Sequence, residues 1–182
     1  PSGKHYRLLV LQDTEFMRPV FARKIRELIQ SGAKVLGPKP KHTPSLEDFP
    51  DSEKEVIAIG EEVWGNCDGE IIKSNSYGKG RVFSGLTPSE TLRQLKIAPA
   101  LKIPVGNPEI GWIQRRTEDA DIYFISNQSE ETVSTTAGFR TLGKIPEFWD
   151  AVNETINDAP GWKVDDNYTL VPLDLKPAES VF

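Results

Sequence analysis

The sequence predicts two successive parts of different class: an incomplete doubly wound α/β layer over residues 1–103, then an antiparallel β-sandwich over residues 104–182. Three observations carry this expectation. The opening reads strand, helix, strand, the order that builds a parallel sheet. Residues 98–108 hold three prolines and a glycine without any period, which marks a junction. Beyond Ile110 the apolar segments are of strand length only, and Gly111–Gln128 (GWIQRRTEDADIYFISNQ) reads as two strands joined by a charged turn.

Arg7–Leu11 (RLLVL) is a continuous apolar run with polar neighbours, the pattern of a strand covered on both faces of a parallel sheet. Pro19 suits a first helical turn, where its missing N–H costs nothing. Val20, Ile25, Leu28 and Ile29 form a helical stripe opposite Arg23, Lys24, Arg26 and Glu27, and Ser31-Gly32 closes the helix. Ala33–Leu36 is the second strand of a right-handed crossover. Four prolines make Gly37–Pro50 an irregular loop. Asp51 or Ser52 can cap a second helix running to Trp64, and the turn residues Gly65–Gly69 follow it. The Tyr77–Gly80 turn feeds a strand at Arg81–Ser84, and Thr87-Pro88-Ser89-Glu90 is a capped start to a short helix.

In the second part, strands are expected at Trp112-Ile113, Asp121–Asn127, Thr132–Phe139 and Tyr168–Leu175, with Phe148-Trp149-Asp150 as a buried edge. Pro172 and Pro177 confine the last of these to an edge or an irregular path. A start at Pro1-Ser2-Gly3 directly before a strand, and an end inside Ser180-Val181-Phe182, suggest a piece of a longer protein.

With 37% hydrophobic and 27% charged residues, the 182-residue chain has the composition of a globular protein. Its net charge of −5 is dispersed without an extended basic block, so nucleic acid and anionic lipid are not expected partners. The longest apolar stretch is far short of a membrane span. One cysteine and two histidines supply too few soft ligands for a structural zinc site, and no metal or cofactor is expected on this chain.

An α/β sheet presents ligands at the carboxyl ends of its strands, which makes Asp13 and Glu15 after the first strand the place for a site. Exposed loop carboxylates of this kind more commonly stay solvated or cap a helix. Residues 12–18 contain no glycine, so backbone amides cannot crowd around a phosphate there. Cys67 follows a helix in a polar turn and has no histidine placed to activate it, whereas a cysteine nucleophile of α/β enzymes stands on a sharp strand-to-helix turn. Arg116, in the charged cluster around the second-part hairpin, could hold a carboxylate or sugar through a bidentate contact; cross-strand ion pairing is the simpler reading. Trp64 and Trp112 sit among apolar neighbours as core residues, and Trp162 between Pro160-Gly161 and Lys163 is the best-exposed ring for stacking on a sugar. The candidates for substrate binding are thus Trp162, Arg116 and Asp13, with no catalytic residue and no metal ligand.

Five strings in order carry a resemblance. They are MRPVFARKIRELIQSGAKVLGPKP (17–40), GKGRVFSG (78–85), RRTEDADIYFISNQ (115–128), FRTLGKIPEFWD (139–150) and TLVPLDLKPAESVF (169–182). Together they resemble the C-terminal portion of large bacterial proteins similar to glycoside hydrolase family 106, the α-L-rhamnosidase-like group. The resemblance implies a parent enzyme acting on plant or bacterial polysaccharide through acidic residues of a (β/α)₈ barrel, with calcium at that site and the barrel N-terminal to Pro1. It further implies that residues 1–103 are an amidotransferase-like or flavodoxin-like layer and residues 104–182 an accessory sandwich. A periplasmic or extracellular location follows from it. The barrel and an oligosaccharide are the implied partners, and an α/β layer parted from its barrel would expose an apolar face that favours self-association.

Overall fold

The computed structural model describes residues 5–104 and 109–182. It divides into two compact units, residues 1–97 and 98–182. The division precedes the expected boundary at 103/104 because Leu101 and Lys102 pair with Phe139 and Gly138 and so belong to the second unit. Within the junction, residues 105–108 lie outside the described residues, as do Pro1–Gly3.

The first unit runs β1 (Leu9–Val10), α1 (Pro19–Ser31), β2 (Lys34–Leu36), α2 (Asp51–Trp64), β3 (Ser74–Tyr77), β4 (Gly80–Phe83) and α3 (Pro88–Gln94). Its sheet has the order β1-β2-β4-β3, with the first three strands parallel and β3 folded back on β4 as a hairpin. Pro19 opens α1, and Gly32, at φ 122°, donates to the Ile29 and Leu28 carbonyls to end it. The stripe turns Ala22, Ile25 and Ile29 inward. These meet Val35 and Val82 from the sheet and Val56, Ile59, Val63 and Trp64 from α2 in one core. Helices α1 and α2 lie side by side, joined by Arg23 to Glu55 at 2.6 Å and Arg26 to Glu62 at 3.2 Å. At α3, Thr87 accepts from the Glu90 amide while the Glu90 carboxylate accepts from the Thr87 amide, a reciprocal cap that satisfies two amides left free at a helix start.

Two expectations change here. The first strand is short and stands at the sheet edge, with Leu9 and Val10 at 39% and 51% exposure instead of covered on both faces. Apolar continuity reports that a strand prefers cover; it does not supply the neighbour. Cys67 lies in the core at 1% exposure, because the turn after α2 folds inward and its amide bonds to the Trp64 carbonyl.

The second unit comprises β5 (Leu101–Lys102), β6 (Ile110–Arg116), β7 (Asp121–Asn127), β8 (Val133–Phe139), β9 (Glu147–Asp150), β10 (Thr155–Asp158), β11 (Lys163–Asp165), β12 (Tyr168–Leu175) and β13 (Ser180–Val181). One antiparallel sheet has the order β11-β12-β8-β5 and another β13-β7-β6. The β9–β10 hairpin extends the second sheet, since Trp149 and Phe182 exchange backbone hydrogen bonds at 2.9 and 3.1 Å. Alternate residues of both sheets point into a shared core: Tyr123 and Ile125 from β7, Ala137 from β8, and Val171, Leu173 and Leu175 from β12. Strand β12 is paired on both sides, so Pro172 sits within the sheet and not at an edge. Trp112 and Trp149 are 41% and 52% exposed, against the core and buried-edge expectations. Both belong to strands at or near the margin of their sheet, where a ring has strand neighbours on few sides.

Candidate functional site

At the carboxyl end of the first unit's sheet, Asp13 is exposed on the loop leaving β1. Its neighbour Glu15 is paired with Lys41 at 2.6 Å. Phe16 and His42 form a parallel bridge with their rings 5.3 Å apart, and His42 Nδ1 stands 3.4 Å from the Glu53 carboxylate. The loops after β1 and β2 are therefore fastened to each other and to α2, which leaves Asp13 outside the contacts that fasten them. Burial pushes the Cys67 thiol above the ordinary cysteine range, so the reactive thiolate is disfavoured.

At the β6–β7 turn, Arg116 Nε donates to Asp121 Oδ1 at 2.6 Å and Lys144 Nζ to Oδ2 at 3.0 Å. Gln114 adds a bond to Asp121 at 3.2 Å and another to the Tyr123 hydroxyl at 3.0 Å. The Asp121 side chain is only 6% exposed. Burial alone would raise its carboxyl, but the bonds from Arg116 and Lys144 outweigh that and hold it below the usual aspartate range. Arg116 is thus occupied by a partner within its own hairpin, and the ion-pair reading of this cluster describes the geometry.

Trp162 is 36% exposed in the turn before β11, where Gly161 takes φ 65°. Asp13 lies in the first unit, Arg116 and Trp162 in the second and at the ends of different sheets. No one unit contains the three candidates together. An open cavity of about 480 Å³ over β5, β8 and β12 includes none of them; Lys102 at its lining lies 3.9 Å from the Tyr168 ring.

Two features of the second unit escape inspection of the sequence. The first is Asn127, the asparagine of the Phe-Ile-Ser-Asn-Gln string, which is 1% exposed. Its amide nitrogen donates to the Glu131, Leu175 and Lys176 carbonyls, and its oxygen accepts from the Ser129 amide and hydroxyl. Its parity with Tyr123 and Ile125 along β7 is the signal that it points inward.

The second is a row of side chains on the outward face of the extended sheet. Ile113 is opposite Phe124, the Phe124 and Phe182 rings are 5.1 Å apart, Phe182 is hydrogen-bonded to Trp149, and Trp149 is opposite Ile156. One residue from each adjoining strand thus forms a cross-strand ladder in the order Ile113, Phe124, Phe182, Trp149, Ile156. Phe124 is half-buried and the others are 44% to 58% exposed. Two of its pairings lie within hairpins, but β13 joins them across segments far apart in sequence, so no local pattern announces the whole row.

The comparisons with known proteins agree with this architecture. The chain is 33% identical over its whole length to a Formosa agariphila protein named "Putative beta-glucuronidase", of which it spans 15%. A rhamnosidase structure from Novosphingobium sp. PP1Y matches the whole chain with a TM-score of 0.88 at 28% identity, over 17% of that protein. A family GH42 β-galactosidase, Gan42B, shares the fold with a TM-score of 0.57 over 97% of the chain at 11% identity. The chain therefore spans less than a fifth of the length of the first two relatives. Residues 1–162 match the model of glycoside hydrolase family 106, α-L-rhamnosidase, and the chain belongs to that family.

Proposed function

We propose that this chain is a non-catalytic portion of a glycoside hydrolase, with α-L-rhamnosides as the substrate class of the whole enzyme. The observation that carries the reading is the state of its acidic groups. Glycoside cleavage uses two carboxyl groups about 5 to 10 Å apart across the scissile bond, one of them kept protonated by apolar surroundings. Asp121 is held ionised between Arg116 and Lys144, and Glu15 is paired with Lys41. Glu147 and Asp158 do stand opposite each other on β9 and β10, but both are exposed on an open sheet face without a wall to exclude water. Among the described residues no group of three or more His, Cys, Asp and Glu gathers that could hold a metal ion.

The first unit we read as an amidotransferase-like layer that serves as scaffold. A buried thiol with a raised pKa argues against a cysteine nucleophile in it. The catalytic barrel is then supplied by the remainder of a chain of the relatives' length, in a periplasmic or extracellular setting. Incubation of the purified chain with aryl α-L-rhamnosides tests the reading, with no turnover expected.

A second reading, an accessory module that binds the glycan, is favoured by the exposure of Trp162 beside the open Gly161 turn. Binding to rhamnose-containing polysaccharide that is lost in Trp162→Ala would establish it.

A further inference from the structure

We propose that the outward ladder of the second unit, centred on Trp149, is a binding platform for a neutral oligosaccharide. The row crosses five adjoining strands, four spacings of about 4.8 Å each, and so extends roughly 19 Å. That is the reach of a short chain of sugar rings, not of a single one. Aromatic rings offer flat apolar faces of the kind against which the C–H faces of pyranose rings pack. Phe124, Phe182 and Trp149 occupy the middle of the row, and Ile113 and Ile156 prolong it.

Two features orient the platform. The Trp149 indole N–H donates to the Glu147 carboxylate at 3.0 Å, which fixes the ring before any ligand arrives and lowers the ordering cost of binding. Along one flank the outward residues are Gly111, Ser126 and Ser180, with the Gln128 amide lying over Gly111.

The other flank carries charge of both signs, Arg115 opposite Ile122 at its β6–β7 end and a pair of carboxylates at its β9–β10 end. Glu147 and Asp158 face each other directly across β9 and β10 on the same side of the sheet as Trp149. Like charges so placed repel each other. Sugar hydroxyls can donate to both carboxylates and relieve this, whereas a uronate would add a third negative charge beside them. The complementary occupant is therefore a neutral glycan.

A protein partner fits less well. A stable interface covers about 800 Å² and 20 to 30 residues on each side, and the ladder together with Ile122 offers six apolar side chains, with Arg115 and the carboxylates at its margin. The choice of sugar as ligand class rests on the family reading above; the position of the platform rests on strand register alone.

Isothermal titration calorimetry of the chain with L-rhamnose tetrasaccharide, cellotetraose and tetragalacturonate tests the proposal. The expected result is saturable binding of at least one neutral tetrasaccharide, weakened about tenfold or more by Trp149→Ala and largely retained in Trp149→Phe. Tetragalacturonate binds only after Glu147→Gln. Circular dichroism and the unfolding midpoint of each variant keep loss of fold apart from loss of binding, and the half-exposed position of Trp149 makes folding of the variants the expected outcome. The proposal is overturned if neither neutral sugar saturates, if Trp149→Ala binds as well as the parent, or if only Trp162→Ala abolishes binding. A monomer–dimer equilibrium abolished by Trp149→Ala would overturn it in favour of a second copy of the chain. Turnover of a rhamnoside would refute the non-catalytic reading and leave these binding outcomes to stand or fall separately.

Discussion

Asn127 donates its side-chain N–H to the Leu175 carbonyl at 3.2 Å, tying the end of β7 in one sheet to the end of β12 in the other. The same amide serves the Glu131 and Lys176 carbonyls, so one buried residue closes the rim of the sandwich and seats the β7–β8 turn. Removing a partner from a buried polar group costs more than the bond itself, because the stranded group has already lost its water.

Asn127→Ala should accordingly destabilise the second unit by about 2–3 kcal/mol. Urea unfolding followed by the near-ultraviolet signal of that unit measures it, and a loss near zero would show that water replaces the amide without penalty.

The Asp121 pair gives an acid-dependent prediction. Its carboxyl is lowered in the folded chain by Arg116 and Lys144 against the opposing effect of burial. A group with a lowered folded pKa stabilises fully above its unfolded value, near 3.9, and loses that contribution as pH falls through the folded value. The unfolding midpoint of the chain should drop on acidification below about pH 4, and Asp121→Asn should show a shallower drop over that interval. Parallel curves for the two proteins would contradict the account.

Labelling with a thiol reagent distinguishes the buried from the reactive description of Cys67. With the side chain in the core and its pKa raised, the native chain should react only as fast as it opens, and the rate should rise to that of a free thiol in denaturant. Rapid stoichiometric labelling under native conditions would restore a nucleophilic cysteine to consideration.

Gly80→Ala should cost about 3 kcal/mol. An added Cβ would lie 2.2 Å from the Ile29 carbonyl oxygen and 2.4 Å from that of Ala33, both backbone atoms, so α1 and β4 would have to part. Thermal unfolding of the first unit reports it.

These elements were legible in unequal measure. The bounds of α1 and α3, the end of α2, and the bounds of β7 and β12 follow from local signals: Pro19 and Gly32, Trp64 followed by Gly65, the Thr87–Glu90 cap, and alternation along Asp121–Asn127; the start of α2 does not, since Pro50 stands at the cap position and neither Asp51 nor Ser52 caps the helix. What remained hidden depends on neighbours distant in sequence. Arg7–Leu11 carries the apolar run of a central strand, yet nothing in those residues says that β1 has β2 on one side only. Trp112 and Trp149 are apolar enough for a core, and only strand order places them at its margin. Arg116 was readable as an ion-pairing residue because Asp121 follows across a short turn. The aromatic ladder was not, since it joins β6, β7, β13, β9 and β10 by register alone.

The measurement closest to the centre of the account is the rate of aryl α-L-rhamnoside hydrolysis by the purified chain. Release no faster than in buffer is expected, with or without added calcium, because Asp121 and Glu15 are tied up in ion pairs and the facing carboxylates Glu147 and Asp158 stand exposed to water. Turnover by the chain that disappears in Asp13→Asn would contradict it and make the first unit's exposed loop a catalytic site.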